Sequence, residues 1–174
     1  MSTLSPSAPP TSDASPVSTE LTPFRVTTYV GHLLPTPSTP HPAFGWPAAW
    51  LVVDGNVIEA AYGGHGTTNM LPSATFLNAL LKVHLTTTVT PVVVIGAGPI
   101  ESVSAIISSW QNDPAQQNTN DQQRLSVQPD IHNPTAFMLA PVPETKDQLL
   151  HIFVRFGPTI GGDATYLWHL SPQK

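Results

Sequence analysis

The stretch Pro91-Val-Val-Val-Ile-Gly-Ala-Gly-Pro-Ile-Glu-Ser-Val-Ser-Ala-Ile-Ile-Ser-Ser-Trp110 carries the reading on which the fold turns. Its first part, up to Gly96, is a short apolar run with no polar alternation, the pattern of a central strand buried on both faces. Its second part predicts a helix. Pro99 suits a helix start, and Ile100, Val103, Ile107 and Trp110 recur at i, i+3, i+7 and i+10. A strand followed at once by a helix is the beginning of a β-α repeat, with helices laid against a sheet.

Reading outward, Asp54-Gly55 separates the apolar runs Trp50–Val53 and Val57–Tyr62. Both residue types tolerate positive φ, so the two runs form an antiparallel hairpin. Phe24–Val30 is β-branched and aromatic and predicts a strand before it. After Gly63-Gly64-His65-Gly66, the residues Phe76, Leu77, Leu80, Leu81, Val83 and Leu85 recur at three- and four-residue spacing, one wide helical face. Gln148–Arg155 predicts a later strand, and Ala164–Leu170 a last short helix with Asp163 as N-cap. The expected fold is therefore α/β, a mixed sheet in the order β-β-β-α-β-α-β-α with helices on both faces.

The chain has 174 residues, room for one domain and a tail. Residues 1–23 are Ser, Thr, Pro and Ala with few apolar side chains, which predicts a disordered tail, because such a segment cannot offset its backbone entropy. Residues 24–174 form the domain, with a Pro-rich loop at 35–47 and a Gln/Asn-rich loop at 111–130. Cysteine is absent, which excludes disulfides, thiolate zinc sites and a thiol nucleophile. Charged residues are 10% of the chain, against about 25% in an average soluble domain. Six Lys and Arg face eleven Asp and Glu, for a formal net charge of -5, a poor coat for a phosphate backbone. No apolar run approaches the roughly 20 residues of a membrane span, and the polar, prolyl N-terminus lacks the features of a secretory signal. An intracellular protein with no membrane partner is expected.

The order of elements, together with Gly63-Gly64-His65-Gly66-Thr67-Thr68-Asn69 and Val92–Trp110, resembles the ribonuclease H family from about Phe24 to Leu170. Gly45-Trp46-Pro47-Ala48-Ala49-Trp50 is similar to that family's approach to its second strand. The resemblance implies a metal-dependent nuclease that holds two divalent ions on a cluster of carboxylates. Transferred residue by residue, the ligand positions fall at Val30, Ser73, Ala97 and Asp163, and only Asp163 is acidic. The resemblance thus implies the fold and argues against the activity. No Mg²⁺ or other cofactor is expected, with Asp163 the one residue left to a metal if an active nuclease is hidden here.

Other candidates have plain explanations. Asp54 belongs to a hairpin turn, and Glu101 suits the first turn of a helix. Asp54, Glu101 and Asp163 as a rebuilt metal site would have to come from different ends of the sheet. The seven histidines show no i, i+4 pair. Gly96-Ala97-Gly98-Pro99 lacks the third glycine of a dinucleotide loop. The leading expectation is a catalytically inactive RNase H-like domain of retroelement or viral character, serving as a scaffold or protein-interaction module. The alternatives are an active RNA–DNA hybrid ribonuclease and a non-cleaving module that binds hybrid or duplex. A protein partner is favoured over nucleic acid.

Overall fold

A computed structural model describes residues 47–64, 77, 80–111 and 121–173. The tail, the strand predicted at Phe24–Val30, most of the Pro-rich loop, the ligand positions Val30 and Ser73, and residues 112–120 lie outside these.

Eleven strands follow one another among the described residues: β1 (Ala49–Val53), β2 (Asn56–Glu59), β3 (Ala61–Gly64), β4 (Lys82–Leu85), β5 (Val92–Ile95), β6 (Ile100–Ser109), β7 (Gln123–Leu125), β8 (Val127–Pro129), β9 (Ala136–Leu139), β10 (Gln148–Phe156) and β11 (Asp163–Pro172). They form two sheets. Sheet A has the order β2-β1-β5-β9-β8, and sheet B the order β3-β11-β10-β6-β7. Every pairing is antiparallel except β4, which runs parallel to the last residues of β11. Inner residues of the two sheets, among them Leu51, Val93 and Leu139 from A and Leu150, Ile152, Tyr166 and Trp168 from B, make one continuous apolar cluster. The molecule is a β-sandwich. The Trp168 indole donates across it to the Ile58 carbonyl at 3.1 Å.

The expected α/β sheet with helices on both faces is overturned, and the correction lies in the period of the apolar residues. On β6, Val103, Ala105 and Ile107 pair laterally with Val154, Ile152 and Leu150 and face the core. Ser102, Ser104 and Ser108 alternate with them, which is a period of two. The residues that matched helical spacing, Ile100, Val103 and Ile107, are β-branched and favour a pleated strand over a helix. The helix predicted at Ala164–Leu170 is likewise a strand. Ala164, Tyr166, Trp168 and Leu170 all point inward, and Asp163 opens β11 instead of capping a helix. The helical face read through Val83 and Leu85 ends as β4, with both residues buried and Lys82 and His84 exposed. Within the predicted Gln/Asn-rich loop, Gln123–Leu125 and Val127–Pro129 are strands β7 and β8.

Three expectations fit what the structure shows. Asp54 and Gly55 adopt φ of 48° and 78° and close the β1–β2 hairpin, with Val53 opposite Asn56. Val92–Ile95 is the central strand of sheet A, buried along its whole length. The strand predicted at Gln148–Arg155 is β10, Gln148–Phe156.

Consecutive strands also change sheet at both sides of the sandwich. Between β2 and β3 the chain passes from A to B at Ala60, whose N–H donates to the Ala49 carbonyl at 2.8 Å. Between β7 and β8 it passes from B to A at Ser126, whose carbonyl accepts from the Ala140 N–H at 2.9 Å.

Candidate functional site

The strand registers sort the connections into two ends. Ala49 opposite Ile95, Val94 opposite Ala136 and Phe156 opposite Ile100 place residues 96–99, 130–135 and 157–162 at one end, beside the entry at Pro47-Ala48. The turn at Asp54-Gly55, residues 86–91, Trp110-Gln111 and residues 140–147 lie at the other.

The first end is knitted together by the backbone. In the β8–β9 connection the Asp130 carboxylate is buried, and its Oδ1 accepts from the N–H groups of His132 at 2.7 Å and Asn133 at 2.9 Å. This is the Asx-turn chemistry of a short acidic side chain bonding its own backbone two and three residues on. Asn133 repeats it, accepting from the Thr135 N–H at 3.0 Å and hydroxyl at 2.8 Å. Thr135 in turn accepts from the Ile95 N–H at 2.9 Å, which fastens this loop to the end of β5. Beside sheet B, the Gly157 N–H donates to the Pro99 carbonyl at 2.9 Å and joins the β5–β6 and β10–β11 loops. A Cβ at Gly157 would stand 2.8 Å from Pro99 Cγ, so this approach requires glycine.

The surface of this end is almost free of charge. Among residues 96–99, 130–135 and 157–162 the ionisable side chains are Asp130, which is turned inward, and His132. Ile131 lies in the Asp130 turn and is 65% exposed, and Ala97, Pro99, Pro134 and Pro158 are exposed at the same end. Behind the loops, Arg155 Nε lies 3.2 Å from Glu101 and 4.0 Å from Asp163, all three well exposed.

This geometry places the residues singled out from sequence. Ala97 and Asp163 come to the same end, and Glu101 joins Asp163 through the shared Arg155. Asp54 is at the opposite end, in its turn. The Arg155 guanidinium lies against the Glu101 and Asp163 carboxylates and offsets one of the two charges. Among the described residues no cluster of three His, Asp or Glu side chains could hold a metal ion. The positions transferred from the ribonuclease H family share no frame in a sandwich, since the α/β sheet that defined them is not this fold.

The opposite end holds a polar cluster of another kind. His169 on β11 is buried, with its side chain only 3% exposed. Its Nε2 lies 3.0 Å from Asp147 Oδ1, and the Trp110 indole stacks on its ring at 3.6 Å with 5° between planes. The Trp110 backbone N–H donates to the Asp147 carbonyl at 3.0 Å. A hydrogen bond from Ser171, then those from His169, hold the Asp147 carboxyl below its ordinary range. Burial pulls His169 downward in spite of Asp147, so the neutral ring donates its Nε2–H to an ionised carboxylate. Because the ring lies buried under Trp110 and its Nε2–H is held by Asp147, the cluster clasps chain segments together. Between the two ends, His151 on β10 is laterally flanked by Leu167 and Ile106. Burial pushes it down to about 4, and its Nε2 is enclosed with no hydrogen-bond partner among the described residues.

No family model matches the chain, and neither the curated proteins nor the solved structures supply a match. The site therefore rests on its own residues. Asp130 escaped the sequence reading because it closed a segment read as a Gln/Asn-rich loop, and Ile131 and Asn133 because they followed it in a stretch to which no element was assigned. The spacing Asp130-x-x-Asn133-Pro134 was the available signal of an ordered turn.

Proposed function

We propose that this domain is a protein-interaction module and that it binds through the loop end formed by residues 96–99, 130–135 and 157–162. One observation carries the reading: Ile131 is held out into solvent on a turn whose backbone is fixed by the buried Asp130. Loops on a rigid scaffold are the usual carriers of recognition in sandwiches. An exposed apolar side chain by itself is ordinary. Here it sits on a preorganised turn, within an uncharged surface and beside a charged rim, which is the anatomy of a protein interface. Fixing the turn before binding also lowers the entropic cost of association. Nucleic acid fits less well. Phosphate contacts call for cations, and the nearby Arg155 is engaged by two carboxylates.

The test places a photo-reactive side chain at position 131 of the full chain, and a control at position 54 on the opposite end. Irradiation in cells should give a discrete covalent adduct to protein from position 131 and none from position 54. Equal adducts from both positions, or adducts that disappear on nuclease treatment, would overturn the reading.

A further inference from the structure

Sheet A has an outer face that is buried. Along β1, Ala49, Leu51 and Val53 belong to the core, so Trp50 and Val52 point the other way, and β5 likewise turns Val92 and Val94 outward. Val52, Val92, Val94 and Ala136 form an apolar cluster separate from the core, with Val57 against it. Trp50 stands in the same layer, between Glu59 and Val94, and is 5% exposed. Lateral neighbours on a single sheet shield the sides of an indole and leave its outer plane open. An outward tryptophan as buried as this one needs a further layer of chain on top. Its indole N–H is also buried without an acceptor among the described residues, a donor that a covering backbone carbonyl would satisfy.

Connectivity narrows what that layer is. Residues 65–76 leave from Gly64, paired with β11 of sheet B, and lead to Leu77, which packs on Leu149 and Leu167 on the outer face of that same sheet. Residues 112–120 join β6 to β7, both in sheet B. The chain before Pro47 is the long stretch that joins sheet A, through the start of β1. Within it, Phe24-Arg-Val-Thr-Thr-Tyr-Val30 alternates Phe24, Val26, Thr28 and Val30 on one side, a pattern suited to an apolar sheet face.

We infer that residues 24–34 of this chain dock on the outer face of sheet A, over Trp50, Val52, Val92 and Val94. The domain then begins well before β1. The inference stands independently of the protein-binding reading.

The chain has no cysteine, so single thiols report on the docking cleanly. In the full chain, Val92→Cys should react with a thiol reagent far more slowly than an Asn56→Cys reference in the β1–β2 hairpin. Adding serine at Phe24, Val26 and Val30 should raise the Val92→Cys rate at least about tenfold, while a core thiol at Val93→Cys stays protected. Serine at Leu4, Val17 and Leu21 should change nothing. An unchanged Val92→Cys rate, or an equal rise from the tail substitutions, would overturn the inference. Hydrogen exchange on the unsubstituted chain gives a second measurement. Amides of residues 24–34 should exchange more slowly than those of residues 2–20, and equal rates would overturn the inference even if the serine variant unfolds.

Discussion

The two ends of the sandwich use acidic side chains in opposite ways. At the loop end, Asp130 turns inward and bonds its own backbone, so the surface above it stays uncharged and Ile131 is presented outward. At the other end, Asp147 reaches across to His169 and Ser171, and its own carbonyl accepts from Trp110, drawing separate segments of chain into a closed cluster. One carboxylate shapes a display and the other fastens a joint. Burial, more than the identity of the charges, decides which contacts stabilise. The Arg155 trio is exposed and screened, whereas the His169 ring is enclosed.

The comparison breaks most sharply at His169. His169→Ala removes a buried ring from under Trp110 and leaves Asp147 short of a donor. A loss of about 2–4 kcal/mol in urea unfolding is expected, as for truncation of a buried, hydrogen-bonded side chain. A loss under about 1 kcal/mol would mean that the clasp holds nothing.

Acid should act next, through His151. Its folded-state value is depressed to about 4 from 6.5, so the unfolded chain takes up a proton first as pH falls. Stability is then fully present above about 6.5 and declines down to about 4, by at most about 3 kcal/mol, with His169 adding in the same direction. Asp147 has its value lowered from 3.8 and contributes stability that is lost only below that pH. Unfolding titrations from pH 7 to 4 on the native chain and on His151→Leu check this. The variant should lose most of the slope.

Asp130→Ala sharpens the contrast from the loop end. It deprives two partly buried N–H groups of their acceptor, for about 1–2 kcal/mol, and it should abolish the adduct from position 131 even where the fold survives. Arg155→Ala is expected to cost least, within about 0.5–1 kcal/mol, and less still at high salt. A larger loss there would place structural weight on the exposed rim.

Much of sheet A was legible in the sequence. The Asp54-Gly55 turn and the Val92–Ile95 strand stand where local signals put them, though among the described residues no helix flanks the strand. The helices failed for a shared reason. In β6, apolar residues fall both at every second position and at helical intervals, and the choice was made on spacing alone. The β-branched Ile and Val, with the serines alternating between them, carried the deciding information. In β11 the run from Ala164 to Leu170 is too short for periodicity to decide, and long-range pairing with β10 settles it. The clasp was out of reach for the same reason: Trp110, Asp147 and His169 are distant in sequence and meet only once β6, β10 and β11 lie side by side.

The corners at Ala60 and Ser126 have a consequence for solubility. A β-sandwich with long open borders invites another copy to add a strand, and natural proteins commonly discourage this with charge at the rim. With 10% charged residues this chain has little charge to deploy. Among the described residues its border strands β2, β3, β4, β7 and β8 are only three or four residues long, and at two corners the chain bends from one sheet into the other. A newcomer would find few consecutive main-chain groups to pair with. Short borders limit strand addition without relying on repulsion, so any self-association through these edges should depend only weakly on salt.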